Sequence, residues 1–170
     1  MSRMWTVASA ALLVLTAGGC GDESVAETEE QLAEQQELVL AEMTEAVEAV
    51  DAAGLEVVSA SGYAEYCRMP PDEGAYYRAG ARVAEDGDPA GQVAAIRDAL
   101  TELGWTVEGE TVEPEPSVSL ARGDLRAGIS LSRSQVEPGV TFGVKGDCFS
   151  VNDEWLLEDD LRTDINANGD

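Results

Sequence analysis

The carboxyl-terminal residues carry a spacing that could bind calcium. Residues 164–169 read D-I-N-A-N-G, which matches the first six positions of a calcium loop with oxygen ligands at alternate positions and a glycine turn. The residues up to Asp170 do not include the bidentate glutamate that closes such a loop at its twelfth position. We therefore predict a polar tail here and no metal site.

A run of four glutamates supplies carboxylates, but not in the arrangement that catalysis needs. They are Glu108, Glu110, Glu113 and Glu115. A glycoside hydrolase uses two carboxyl groups on opposite sides of a cleft, whereas these follow one another along one segment. The chain has no histidine, which removes the commonest general base and zinc ligand. It also has no G-x-S-x-G, phosphate-loop or dinucleotide motif. We predict that the protein is not an enzyme and uses no cofactor.

Tyrosine and arginine are concentrated between residues 63 and 78. The residues are Tyr63, Tyr66, Tyr76, Tyr77 and Arg78. Both types are enriched among the side chains that dominate protein interfaces. We predict a binding surface at these five positions. The alternative is that part of the cluster covers the core around Cys67.

The segment before Cys20 has the pattern of a lipoprotein signal peptide. It carries one positive charge at Arg3, a short apolar run at residues 7–15 and small residues at 17–19. In such a signal the thiol that follows receives the lipid. We predict that residues 1–19 are the signal peptide, that Cys20 is lipidated, and that the protein is anchored on the extracytoplasmic face of the cell membrane.

Two alternatives to a lipid anchor stay open. The apolar run could remain as a membrane helix, although a bilayer span takes roughly 20 apolar residues and this run is shorter. It could also be an ordinary secretory signal that is cut near Gly19. The residue three positions before the cysteine is Ala17, where leucine is usual.

The two remaining cysteines, Cys67 and Cys148, are expected to pair. Outside the cytoplasm a pair of cysteines usually closes a disulfide. The alternative, a redox or metal-binding cysteine, lacks support because there is no C-x-x-C motif. We predict a Cys67–Cys148 bond.

The charge of the chain restricts its partners. The formal net charge is −24, and Lys145 is the only lysine. Such a surface repels nucleic acid and anionic lipid headgroups, so neither is an expected partner. A cationic partner would be attracted, although acidity also keeps an exported protein soluble.

Two helices are predicted around the sheet. The first runs from about residue 27 to 52 and carries its apolar stripe at Leu32, Val39, Met43, Val47 and Val50, which we expect to pack on the sheet rather than in a coiled coil. The second begins after Asp88, a good N-cap, with Pro89 at its first position, and ends at Gly104.

The strand pattern predicts an α+β fold. Strands are expected near residues 55–58, 76–84, 105–107, 118–122, 125–133 and 140–144, with Gly123-Asp124 as a hairpin turn. The R-G-D at 122–124 is explained by this turn. We predict an antiparallel sheet of about four strands with both helices on one face.

The expected organisation is a signal peptide (1–19), a polar tether (20–27), the α+β domain (28–151) and a partly helical tail (152–170). The Cys20 signal, Cys67 before a tyrosine-rich strand, L-G-W at 103–105 and V-K-G-D-C at 144–148 belong to one pattern. In these features the chain resembles the small, mostly uncharacterised lipoproteins of actinobacteria. The resemblance implies an envelope protein and carries over no catalytic residue.

We predict a lipid-anchored, non-catalytic binding or accessory module for an envelope protein partner. The alternative function is a carrier that holds a small ligand or lipid between helix and sheet. An apolar tunnel under the first helix would favour the carrier, and a filled interior with an exposed tyrosine and arginine patch would favour the binding module.

Overall fold

The computed structural model describes residues 22–69, 73–85, 87–132, 134, 136–151 and 163–165. These residues form two helices and one antiparallel sheet of eight strands. The helices are α1 (Asp22–Ala52) and α2 (Pro89–Glu102), and the strands are β1 (Val57–Arg68), β2 (Gly74–Ala84), β3 (Thr106–Thr111), β4 (Ser117–Arg122), β5 (Leu125–Leu131), β6 (Gly139–Lys145), β7 (Phe149–Ser150) and β8 (Thr163–Asp164). The strand order is β3-β4-β5-β6-β2-β1-β8, and β7 pairs with β2.

The α+β class is confirmed, but the prediction of about four strands is wrong. Strand β1 is one continuous element of 12 residues, whereas the sequence indicated only a short strand near residues 55–58 in this region. Strand β1 pairs with β2 on both sides of Gly62, because the neighbouring strand supplies hydrogen bonds to the backbone there. Strands β7 and β8 have two residues each and exist only through their pairing with β2 and β1.

Helix α1 forms as its apolar spacing predicts. The predicted stripe from Leu32 to Val50 is buried, with each member at most 3% exposed. The helix ends at Ala52, and Gly54 in the turn that follows has a φ of 85° and donates its N–H to the carbonyl of Asp51 at 2.9 Å. It begins at Asp22, so its first turns occupy residues that we expected to form part of the tether.

Helix α2 has the predicted ends. The Asp88 carboxylate accepts hydrogen bonds from the backbone N–H groups of Ala90 and Gly91, and Pro89 occupies the first turn. At the other end Gly104 has a φ of 92°, and the N–H of Trp105 donates to the carbonyl of Leu100 at 3.1 Å. This ending returns Trp105 to the core, where it is 2% exposed.

Alternation along the strands gives the sheet two unlike faces. On β2 the residues Tyr77, Ala79, Ala81 and Val83 are buried against the helices, and we call this side of the sheet the covered face. The intervening residues Arg78, Gly80 and Arg82 lie on the other side, which we call the open face. The core is therefore a single layer between the covered face and the two helices.

A disulfide connects the end of β1 to the segment after β6, as predicted. Cys67 at the end of β1 is bonded to Cys148 between β6 and β7. Gln35 of α1 adds a polar link to the same region, because its amide donates to the carbonyl of Asp147 and its oxygen accepts from the N–H of Tyr77. A Cβ at Gly146 would collide with Gln35, so this link depends on the glycine.

Beyond residue 151, the structure describes only residues 163–165 of the predicted tail. Here β8 pairs with β1 through Ser61 and Gly62, which makes it the outermost strand on that side. The N–H of Ile165 continues this pairing by donating to the carbonyl of Ala60 at 2.9 Å. The rest of the predicted tail, the signal peptide and Cys20 lie outside the described residues.

Candidate functional site

The predicted tyrosine and arginine cluster is divided between the two faces of the sheet. Tyr63 is 39% exposed on the open face, and the Arg78 guanidinium lies over its ring at 5.5 Å from the centroid. Tyr76 is on the same face, and its hydroxyl donates to the Glu65 carboxylate at 3.1 Å. The structure thus brings Tyr63, Tyr76 and Arg78 together.

Tyr77 and Tyr66 do not belong to this surface. Tyr77 is fully buried on the covered face, and Tyr66 is partly buried and packs against the core. The prediction that both contribute to one binding surface fails on strand geometry, because neighbouring residues of a strand point to opposite faces. Tyr77 instead occupies the space beside Gly62. A Cβ at Gly62 would lie 2.7 Å from the Tyr77 hydroxyl.

The open face carries a groove of about 880 Å³. Three central strands line it with the same pattern. In each strand a glycine has a polar or basic residue two positions before it and another two positions after it. The patterns are Arg78-Gly80-Arg82 on β2, Thr141-Gly143-Lys145 on β6 and Arg126-Gly128-Ser130 on β5. We call this feature the outer groove.

Strand register aligns the three glycines into one row. Gly80 is paired with Gly143, and Gly143 is paired with Gly128. The row continues through Ser119 on β4 and Ser61 on β1. Because the residues from Gly80 through Gly143 and Gly128 to Ser119 have no long side chain, this part of the row forms the floor of the groove and runs across the strands.

The two walls of the groove differ in chemistry. On one side, Arg78 is paired with Lys145 and Lys145 with Arg126, so three cations are cross-strand neighbours. On the other side, Arg82 is paired with Thr141 and Thr141 with Ser130, followed by Ser117 of β4. One wall is therefore basic, and the other mainly presents hydroxyl groups.

Three rim carboxylates partly compensate the groove's positive charge. Glu65 contacts Arg78 at 3.1 Å, Glu137 contacts Arg82 at 3.6 Å, and Glu108 contacts Arg126 at 3.7 Å. All three carboxylates are at least 42% exposed, and such exposed pairs are weak. They can therefore exchange with an incoming anion.

Lys145 differs from the three arginines of the groove. Within the described residues it makes no ion pair with a carboxylate, and its ammonium lies 5.4 Å from the centroid of the Tyr76 ring. A cation over a tyrosine face is attracted by the ring quadrupole but keeps its hydrogen-bond donors.

Two groups on this face have shifted ionisation. Burial and the neighbouring Glu65 carboxylate raise the pKa of Tyr76 above its ordinary value, so this phenol keeps its proton. Burial works against the charge of Arg78, but its hydrogen bond to Glu65 and the nearby tyrosines outweigh that effect and raise its pKa. Both groups are therefore hydrogen-bond donors at neutral pH.

In the described part of the chain, the R-G-D turn and the acidic run make contacts within the fold. Arg122 of the R-G-D turn contacts the carboxylates of Glu42 and Glu45 on α1 and lies over the Trp105 ring. In the acidic run, Glu110 is paired with Arg97 of α2 at 2.8 Å. The first residue of the calcium-like motif, Asp164, is in β8, and most of that motif lies outside the described residues.

Three residues of the outer groove, Arg82, Arg126 and Lys145, were not predicted from the sequence as site residues. The signal was present in the glycines at the centres of three alternating patterns, 78–82, 126–130 and 141–145. This pattern does not predict a site without the register of β2, β5 and β6, because only the pairing of these strands shows that the glycines form one row.

The part of the chain that the structure describes shows neither a metal centre nor a membrane-spanning helix. It contains no group of three or more histidine, cysteine, aspartate or glutamate side chains placed to hold a metal ion. Neither α1 nor α2, as far as the helices are described, has the length and apolar character of a membrane span.

Comparison with known protein families gives a match. The family model described as "Putative lipoprotein LppJ" matches residues 33–168, which is most of the chain. No curated protein and no solved structure matches it.

Proposed function

The chain belongs to the LppJ lipoprotein family, and from that premise we propose that it is a membrane-anchored, non-catalytic binding module for an envelope protein partner. In this proposal lipid on Cys20 holds the protein at the extracytoplasmic face of the membrane. The open face of the sheet, with the outer groove and the exposed Tyr63, binds the partner.

The contrast between the two faces carries this proposal. The space between the helices and the covered face is occupied by large side chains that are at most 2% exposed, among them Met43, Tyr77, Ile96 and Phe142. A carrier that holds a ligand between helix and sheet would need room there, so this packing favours the binding module. The open face instead offers a groove lined by charged, hydroxyl and aromatic side chains.

The residue types on the open face also support recognition of a protein. Arginine and tyrosine combine a large contact area with hydrogen-bond donors, which is why they dominate interface energetics. Tyr63 and Arg78 are already stacked, so little side-chain entropy is lost when a partner binds to them.

Crosslinking in intact cells tests the proposal. The protein is expressed with its own signal, crosslinked, purified from membranes and analysed by mass spectrometry for proteins and for lipids. We expect one envelope protein at near-stoichiometric yield, and its loss when Arg78 and Lys145 are both replaced by alanine. The Arg97→Ala variant serves as a control, because Arg97 is a paired arginine on α2, away from the groove.

Two results would contradict the proposal. A preparation without a protein partner that carries a lipid or small molecule would support the carrier instead. Recovery of the partner in equal amounts with the double alanine variant would show that the open face is not the binding surface.

A further inference from the structure

We propose that the outer groove binds an extended acidic peptide segment of the partner, which crosses the strands with its carboxylates against Arg78, Lys145 and Arg126. This inference rests on the proposed function and specifies the chemistry of the partner.

The dimensions of the groove fit an extended chain. Its floor crosses from Gly80 on β2 to Ser119 on β4, which covers three inter-strand spacings or about 14 Å. The walls stand two residues away along each strand, about 7 Å to either side of the floor at the backbone. An extended peptide of about four residues spans the same length, and a peptide of about six residues also covers both ends.

Glycine at the floor lets the occupant approach closely. Gly128 is exposed and has no atom within 4 Å of the position where a Cβ would be, so the groove is open at this point. The backbone groups of β6, β2 and β5 are already paired on both sides within the sheet. The occupant must therefore be recognised by side chains, because no free strand edge lies in the groove.

Each wall matches one part of an acidic peptide. Arg78 and Arg126 carry planar guanidinium groups that can bind a carboxylate through two parallel hydrogen bonds, and Lys145 adds a point charge between them. On the opposite wall the hydroxyls of Ser130 and Thr141 can both donate and accept. That suits the alternating N–H and C=O groups of a peptide backbone.

The grouping of the cations is itself an indication of a ligand. The chain has only ten basic residues, and three of them are placed side by side on adjacent strands. Like charges directly opposite one another destabilise a sheet. Carboxylates that lie along this wall would relieve the repulsion.

The charge balance favours a few carboxylates over a dense polyanion. Three rim carboxylates offset most of the charge of the four groove cations, and the chain as a whole has a formal charge of −24. The helix layer with its glutamates lies on the far side of the sheet, and charges are screened over about 8 Å at physiological salt. A short acidic segment therefore meets the local positive charge, whereas a long polyanion extends into the negative field.

Binding of a synthetic peptide to the full-length protein in detergent tests this inference. The probe is a peptide of about six residues with glutamate at alternate positions, and the comparison peptide has glutamine there. We expect binding of the glutamate peptide by titration calorimetry and an affinity at least about tenfold lower for the glutamine peptide, since charged hydrogen bonds are lost.

Variants connect the binding to the groove. Gly128→Val places a side chain on the groove floor, at a position where a Cβ has no atom within 4 Å and the backbone φ is not positive. We expect it to fold normally, with an unchanged unfolding transition, and to bind the glutamate peptide at least about tenfold more weakly. Lys145→Ala should also weaken binding, while Arg97→Ala, which makes the same charge change on α2, should bind like the wild type.

The outcomes separate this inference from the proposed function. Equal binding of both peptides, full binding by a folded Gly128→Val variant, or stronger binding of polyphosphate or of anionic phospholipid vesicles would overturn the acidic-peptide assignment. Such results would leave the proposed function standing if a protein partner is still recovered from crosslinked cells. Failure to recover any protein partner would remove the proposed function itself.

Discussion

The two faces of the same strands have opposite characters. On β6, Val140, Phe142 and Val144 are buried under the helices, while Thr141 and Lys145 line the outer groove. The covered face supplies the apolar burial that stabilises the fold. The open face accepts adjacent like charges, which do not stabilise a sheet. Its row of glycines includes Gly143, where a Cβ would lie 2.7 Å from the carbonyl oxygen of Ala79, so this glycine also lets β6 approach β2 closely. The difference indicates that stability and recognition are assigned to alternate residues of the same strands.

The sharpest test of this division compares two neighbouring residues on β6. Phe142→Ala removes a side chain that is 2% exposed in the core and should lower the free energy of unfolding by about 4 kcal/mol. Thr141→Ala on the open face should change it by less than about 1 kcal/mol, because its hydrogen bond to Ser130 is exposed. Urea unfolding measures both. Similar losses for the two variants would contradict the division.

The disulfide should be the next largest contribution. Replacing Cys67 and Cys148 by serine opens a crosslink between residues 81 positions apart, which should cost about 3 kcal/mol and at most about 4.5 kcal/mol. Chemical unfolding of the variant gives the value, and wild-type protein under reducing conditions should match it. An unchanged midpoint would show that the bond does not constrain the unfolded chain.

Two arginines on either side of the β4–β5 turn extend the comparison. Arg122→Ala should cost about 2 kcal/mol, because Glu42 Oε1 loses the Arg122 guanidinium while Glu42 Oε2 has no hydrogen bond even in the wild type. Arg126→Ala removes an exposed pair with Glu108 and should cost less than about 1 kcal/mol. Thermal unfolding of both variants checks the order. A larger loss at Arg126 would assign a structural role to the open face.

The smallest effect is an alkaline pH dependence from Tyr76. Its pKa is raised above the ordinary 10.0 by burial and by Glu65, so the folded protein holds this proton where the unfolded chain loses it. The resulting stability is fully present below the unfolded pKa and is lost as the pH rises through the raised pKa. Unfolding free energies of wild type and Tyr76→Phe, measured across this range, should fall more steeply with pH in the wild type. Parallel curves would contradict the shift.

Local signals were sufficient to predict much of the scaffold. The capping residue Asp88 and the stop at Gly104 defined α2, and the spacing from Leu32 to Val50 defined the buried face of α1. The turn at Gly123 defined the β4–β5 hairpin. Each of these features depends on residues close together in the chain, so its chemistry can be read directly from the sequence.

Features that depend on distant pairing could not be predicted in the same way. A strand was expected near residues 105–107, but all six residues of β3 are exposed, so no burial alternation marks its full extent. Strands β7 and β8 are too short to have a pattern. The outer groove requires Gly80, Gly128 and Gly143 to be in register, which pairing between strands decides. Strand periodicity predicts that Tyr76 and Tyr77 lie on opposite faces of the sheet. The predicted binding surface nevertheless included both, because they are adjacent in the sequence.

A photocrosslinking amino acid placed on each side of the molecule tests the central claim most directly. One variant carries it in place of Ser130 on the open face, and the other in place of Glu48, which is exposed on α1. After illumination of intact cells, we predict one protein adduct with the probe at residue 130 and none with the probe at residue 48. An adduct formed only from residue 48 would contradict the claim that the open face of the sheet is the binding surface.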